Sequence, residues 1–316
     1  CMMMAGGMGL VLNVMGNFFV PMALQFGLVT PEGKPDVTQV TLLMTVYSYV
    51  MLVWLPFAGR LFDKVDARVL FGAGGVCVVA LLGVWGEVWQ IYLSGVLLGL
   101  AGPIIFLVGP SVLINNWFAP KQAGKFLGIA SAFTGVGTFV WSPLFAGLIK
   151  SMGYQPAFFV EAGIAAVLLV PAVFFFRTRP EDVGLAQFGI EKETAAGEEP
   201  AKKSGVSGRF ALGTVAFYCI FVAACLISLG GGYKSMMPTA VQSVGGTELA
   251  LLGASMISAA AVGNILGKIT LGTLSDKIGI MNSMVAFAAV SIVGFALMVF
   301  MMGDNQVPML AAGFCI

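Results

Sequence analysis

Lys268 is a cation in the last third of an apolar run, "LLGASMISAAAVGNILGKITLG" (Leu251 to Gly272). Asn264 stands four residues earlier, so on a helix the amide and the ammonium share one face. Gly263 and Gly267 flank that face and let another helix approach closely. A buried ammonium is a point charge that a carboxylate can meet, and its desolvation is repaid only when the anion arrives. The bland reading is that Lys268, within about two turns of the end of its run, snorkels to lipid headgroups. Glu161 is an acid inside another apolar run, about one turn from its near end. It either carries an exchangeable proton or faces solvent at the mouth of the bundle. Asn13 and Asn17 share a helical face in the first run, and Tyr47 lies in the middle of the second. Polar groups at that depth need partners or water, so they either line a polar path or bond neighbouring helices. Trp141 and Ser142, just before Pro143, carry the same choice, and Tyr233-Lys234 after "GGG" read as a gate hinge or a loop entrance.

Several chemistries are excluded. The chain has no histidine, so no nucleophile–His pair, His proton relay or His metal site exists. No G-x-x-x-x-G-K-[ST] occurs, so ATP has no phosphate loop, and the abundant glycines read as packing surfaces. Cys1, Cys77, Cys219, Cys225 and Cys315 form no C-x-x-C pair and read as free thiols. No metal, no cofactor and no enzymatic activity are expected.

The elements that position these groups are membrane spans. Of 316 residues, 59% are hydrophobic, and mean hydropathy is +0.96. Charged residues are 10%, less than half the usual share, too few to cover a soluble surface. The fold class is an all-α polytopic membrane protein with the lipid bilayer as solvent. A net charge of +1 gives no reason to expect nucleic acid. Residues 1–28 are apolar throughout, without a basic leader region, and read as a span rather than a signal peptide. Spans are predicted near 3–28, 38–58, 69–86, 89–114, 126–149, 156–176, 209–231, 248–271 and 282–302, and a tenth begins near 307. The domain reading is 1–176 as a six-helix half, 177–208 as a charged, flexible linker, and 209–316 as an incomplete second half. With the first span running outward, thirteen of the sixteen Lys and Arg residues fall on the linker side, leaving Lys34, Lys150 and Lys234 opposite. The positive-inside rule then puts the linker in the cytoplasm.

The two halves echo one another. "GRLFDKVDAR" (Gly59 to Arg68) follows the second span and "GTLSDKIGIM" (Gly272 to Met281) follows the eighth. These doubled turns, the layout of two pseudo-symmetric six-helix halves and the central linker resemble the major facilitator superfamily. The resemblance covers essentially the whole chain. Asp66 and Ala67 depart from the family pattern in the first copy, and the second keeps Gly279 without the trailing basic pair. The segment Ile114 to Phe159, with Trp117-Phe118, Gly124, Gly128, Gly135, Gly137 and Pro143, looks like the oxalate/formate antiporter and monocarboxylate transporter branch, as does Asn264-x-x-Gly267-Lys268. Arginine is usual there at the position of Lys268.

The resemblance implies a secondary active transporter working by alternating access, for a small organic anion, a mono- or dicarboxylate, as antiporter or proton symporter. Substrate-binding residues are then Lys268, Asn264, Asn17 and Tyr47. Gly59, Asp63 and Lys64, with Gly272, Asp276 and Lys277, form a cytoplasmic latch, and Glu161 is the candidate for proton coupling. The expected partners are the anion and a proton or counter-anion, and the expected form is a monomer in the cell membrane. The rival readings are a facilitator for a neutral or cationic solute, and a transporter-like sensor.

Overall fold

The computed structural model describes residues 1–31, 33–62, 64–79, 87–189, 210, 213–215, 217–219, 221–222, 236–242 and 250–300. Asp63, residues 80–86, 190–209, Tyr233-Lys234, Cys225, Cys315 and the run from 307 lie outside them, as does most of the seventh predicted span. Among the described residues the chain is helical, with only isolated bridges such as Phe118 to Phe188.

The first span is broken. α1 (Met2–Gly6) widens into a π-type turn (Gly7–Leu12) and tightens into a 3₁₀ turn (Met15–Asn17) before α2 (Phe19–Gln25). The two parts meet at 50°. Pro21 has no N–H to offer the Asn17 carbonyl, which removes the hydrogen bond that would keep the helix straight there. Next come α3 (Thr38–Leu61), α4 (Ala67–Val79) and α5 (Val88–Gly102). A second π-type turn at Pro103–Leu107 joins α5 to α6 (Val108–Trp117), and together they form one apolar span. α7 (Pro120–Met152) and α8 (Tyr154–Phe175) complete the first half. The second half contributes a helical segment at 236–242, α9 (Ala250–Ile278) and α10 (Ile280–Phe300).

Five described helices are long and apolar enough to cross a membrane, or six counting the bent pair. The lateral surface agrees. Val53, Val167, Phe174, Phe175, Val285 and Ile292 are exposed, the pattern of helices that face hydrocarbon. Inside, α3 packs on α5 and α4 on α8, while α7 lies between the first span and α9. Phe18 stacks on Phe158 at 3.9 Å and touches Phe145 at 6.1 Å, tying the bend of the first span to α7 and α8. Hydrocarbon supplies little drive for helices to associate, so close backbone approach matters. A Cβ on Gly9 would lie 2.8 Å from the Thr134 carbonyl, and one on Gly137 would collide with the Ala5 carbonyl.

Three sequence expectations need correction. The doubled motif does not begin in a turn. Gly59 lies within α3, and Gly272, Asp276 and Lys277 lie within α9, which runs on to Ile278. The second turn is a single residue, Gly279 at φ +81°, a conformation glycine adopts without strain. Glu161 lies two turns inside α8 because that helix begins at Tyr154, and it is fully buried rather than solvated. Finally, the start of the linker is tied down. Thr178 Oγ accepts the Ala67 N–H at 2.9 Å, Trp117 Nε1 donates to the Arg177 carbonyl at 2.9 Å, and Ala119 N–H donates to the Phe188 carbonyl at 3.0 Å. Phe118 and Phe126 stack at 4.0 Å, with Phe188 edge-on against both.

Candidate functional site

α7 and α9 run antiparallel, and polar side chains cross between them at three levels. Ser142 Oγ donates to the Ala254 carbonyl at 3.2 Å, Ser258 Oγ to the Phe139 carbonyl at 3.2 Å, and Lys268 Nζ to the Ser131 carbonyl at 2.8 Å. Lys268 Nζ also approaches Thr134 Oγ at 3.5 Å. Between these levels a Cβ on Gly135 would stand 2.6 Å from Ile265 and 3.0 Å from the Ala261 carbonyl, so the glycine permits the contact. Thr239 adds another crossing, donating to the Gly16 carbonyl at 2.9 Å. The halves therefore meet along a seam of hydroxyl-to-carbonyl bonds with one ammonium at its linker end.

Lys268 is itself exposed at the edge of this seam, and Asn264, one turn earlier, is exposed as well. The ammonium has taken a main-chain partner on the other half. With Ser131 and the longer contact to Thr134 made, one of its three N–H groups is left for another acceptor.

Asn17 lies at the break of the first span and is buried. Its Nδ2 donates to Ser142 O at 3.1 Å and to Ser142 Oγ at 3.2 Å. Asn13 does the same one turn earlier, donating to Thr138 Oγ at 2.7 Å. Because Ser142 Oγ passes its own hydrogen to Ala254, Asn17 is linked through α7 to the second half. Its Oδ1 has no partner. Tyr47 is half-buried, and its ring rests on α5. A Cβ on Gly102 would lie 3.1 Å from Tyr47 Cε2, and one on Gly99 2.9 Å from the Tyr47 carbonyl. The structure thus joins Asn17 to the seam and leaves Tyr47 inside the first half.

Glu161 is fully buried on α8, and neither carboxylate oxygen has a hydrogen-bond partner. An isolated charge in such a place costs several kcal/mol, roughly. Trp141 Nε1 is also buried without a partner, one residue from Ser142. At the linker end, Lys64 is exposed beyond α3. Asp66, which breaks the family motif, starts α4 instead. Its Oδ1 accepts the Arg68 N–H at 3.0 Å, and its Oδ2 pairs with the Arg68 guanidinium at 3.0 Å. That backbone bond, helped by the guanidinium, holds the Asp66 carboxyl below the usual carboxylate range.

Sequence reasoning missed Thr138 and the Ser131 carbonyl. The first had a signal. Thr134, Thr138 and Ser142 recur every four residues, as Asn13 and Asn17 do, so the two stripes match in period. A main-chain acceptor such as Ser131 leaves no such trace.

The family model of the major facilitator superfamily matches residues 3–316. The multidrug resistance protein MdtG of Rahnella sp. (strain Y9602) is 25% identical over 244 residues, 75% of this chain and 55% of that protein. The putative glycerol-3-phosphate transporter 1 of Arabidopsis thaliana is 30% identical over 148 residues, 45% of this chain and 27% of that protein. The crystal structure of the nucleoside transporter NupG superposes with a TM-score of 0.57 at 15% identity, covering 99% of this chain and 78% of that one, which shows a shared fold. This chain spans about half the length of the MdtG relatives it matches. With a helical fold among the described residues, two halves meeting at an antiparallel seam and a match over nearly its whole length, the chain belongs to the major facilitator superfamily, a family of transporters and not of enzymes.

Proposed function

We propose that this protein is a secondary active transporter that moves a small organic anion across the cell membrane by alternating access, with the linker on the cytoplasmic side. The observation that carries the reading is Lys268, a cation in the seam between the halves whose partner is a neutral carbonyl rather than an acid. An arriving anion offers that ammonium a better acceptor than Ser131 does, so binding and loosening of the seam are the same event. Asn264 lies one turn away on the same face, whereas Asn17 sits about 20 Å along the seam at Ser142 and Tyr47 packs within the first half, so the anion meets Lys268 and Asn264 first. Carboxylates fit the sequence resemblance to the oxalate/formate and monocarboxylate branch. Phosphate monoesters fit the relatives named as glycerol-3-phosphate transporters, whose named solute is also an organic anion. Glu161 carries the exchangeable proton if transport is proton-coupled. Exchange against a second anion needs no such group.

The test is uptake by proteoliposomes of labelled mono- and dicarboxylates and glycerol 3-phosphate, for native protein and Lys268→Gln, with and without a pH gradient. Anion uptake that collapses in the variant at normal insertion supports the reading. Uptake that persists unchanged removes Lys268 from it. A neutral or cationic solute is the second reading, favoured by relatives named for multidrug resistance. It predicts that no anion in the panel is carried.

A further inference from the structure

At the end of the bundle away from the linker, the two halves enclose a cavity of about 500 Å³. Asn17, Pro21, Leu24 and Gln25 line it from the first span, Lys150 and Tyr154 from the junction of α7 and α8, and Gln242 from the second half. Three of these polar groups, Asn17, Tyr154 and Gln242, are buried with hydrogen-bonding capacity unused, Tyr154 through its hydroxyl. Gln242 is fully buried, and neither its Oε1 nor its Nε2 has a partner. Asn17 has spent its amide hydrogens on Ser142, but its Oδ1 has none. A buried polar atom left unpaired is costly, so three such groups on one cavity point to something that fills it.

Their chemistry defines what fits. Lys150, exposed at the mouth, is the charged residue among the described residues lining the cavity, and none of those is an acid. The cavity therefore favours an anion. In the last turn of α7 the lysine also complements the helix dipole, but that role uses neither buried amide. Gln242 Nε2 can donate to an anionic oxygen. Gln242 Oε1 and Asn17 Oδ1 can only accept, and a plain carboxylate or phosphate offers them nothing. A ligand that satisfies all of them has an anionic oxygen at one end and hydroxyl donors beside it. The volume is within the range of small-molecule sites.

We infer that this cavity is a binding site for a hydroxylated organic anion, with Lys150 drawing the charge and Gln242 and Asn17 reading the hydroxyls. The site deepens the proposed function and rests on it, since it names the class of anion. Gln242 and Asn17 belong to different halves, so a ligand between them ties the halves together at this end while Lys268 ties them at the other.

The test is equilibrium binding by calorimetry on the purified protein, without flux. Two probe pairs separate the two sources of such an anion: malate against succinate, and glycerol 3-phosphate against propyl phosphate. The hydroxylated member of one pair is expected to bind at least about tenfold more tightly than its plain analogue. Preference within the first pair identifies a hydroxycarboxylate, and within the second a polyol phosphate. Gln242→Leu should erase the preference, and Lys150→Gln should weaken hydroxylated and plain anions alike by about tenfold. Should Gln242→Leu fail to fold, Gln242→Met carries the same comparison, and the exposed-site variant Lys150→Glu tests the charge alone. If neither hydroxylated probe exceeds its analogue by more than about threefold, or if the preference survives in the Gln242 variants, the inference is overturned. A Lys268→Gln protein that still transports anions would defeat the assigned role of Lys268 and leave this cavity standing. A hydroxyl preference indifferent to Gln242 does the reverse.

Discussion

The ammonium of Lys268 donates to the main-chain carbonyl of Ser131 at 2.8 Å, so the candidate cation of the second half rests on the backbone of the first. A carbonyl carries no counter-charge and cannot be removed by side-chain mutation. The bond holds the linker end of the seam without neutralising the lysine, which leaves the charge available to an anion. Because Lys268 is exposed, the bond itself is worth little. Lys268→Gln is expected to change unfolding free energy by no more than about 1 kcal/mol, while anion uptake falls by an order of magnitude or more. Thermal unfolding in detergent and uptake in liposomes, read on the same preparation, check both halves of this expectation.

Gly135 lets α9 approach α7 closely. A side chain there meets Ile265 at 2.6 Å and the Ala261 carbonyl at 3.0 Å, and the second contact cannot be relieved by a rotamer change. Gly135→Val should therefore wedge the seam at a cost of about 1–3 kcal/mol. Trimming the opposing side chain with Ile265→Ala should recover part of the loss. The measurement is a double-mutant cycle on unfolding midpoints. A coupling energy near zero would mean that the seam is not packed at this level.

The two motif-related glycines should behave oppositely. Gly279 has φ +81°, so Gly279→Ala is strained and should destabilise by roughly 1 kcal/mol. Gly59 is inside α3, and a Cβ there meets nothing within 4 Å. Gly59→Ala should be neutral or stabilising by up to about 1 kcal/mol. If Gly59→Ala nonetheless slows uptake, the glycine is needed in another conformer of the cycle, as a latch requires.

Asp66 provides a pH test at the linker side. Its folded value is depressed by the hydrogen bond from the Arg68 N–H, with the guanidinium adding to it. The stabilisation is therefore fully present above the unfolded carboxylate value of about 3.9 and is lost as pH falls through the lower folded value. Hydrogen exchange at the first turn of α4 should accelerate over that acid range in the native protein. Asp66→Asn keeps the cap without a titrating group, so its exchange should show no such step.

Much of the frame was legible in the sequence because apolar runs of about 20 residues have few alternatives to membrane helices. The doubled Gly-x-Leu-x-Asp-Lys pattern gave the two halves, and Asn13 and Asn17 were visibly on one face. Other features were hidden for stated reasons. The motif glycines read as turn residues, yet α9 passes through Gly272 and breaks only where φ turns positive, at Gly279. Glu161 looked like a vestibule group because its burial depends on which helices pack around α8, and an apolar run of nearly uniform composition does not say which face points inward. Lys268 looked like a group facing either substrate or headgroups because its partner is a carbonyl. The bend at Asn17 did have a signal in Pro21, four residues on.

The antiparallel register of α7 and α9 has a mechanical consequence. Ser142 with Ala254, Phe139 with Ser258 and Ser131 with Lys268 keep nearly constant spacing along both helices, so the contact is a straight line rather than a crossing point. A line of hydroxyl-to-carbonyl bonds ending in one ammonium resists sliding but tolerates tilt, so α7 and α9 suit a pivot rather than a gate. α7 is about 50 Å long, so a tilt of about 10° about its middle displaces each end by only about 4 Å. Helices farther from this axis are longer levers and sweep more. If the halves rock as proposed, the hydroxyl bonds of the seam stay made while the Lys268 end loosens, and the widest movement falls on the helices that touch the seam least.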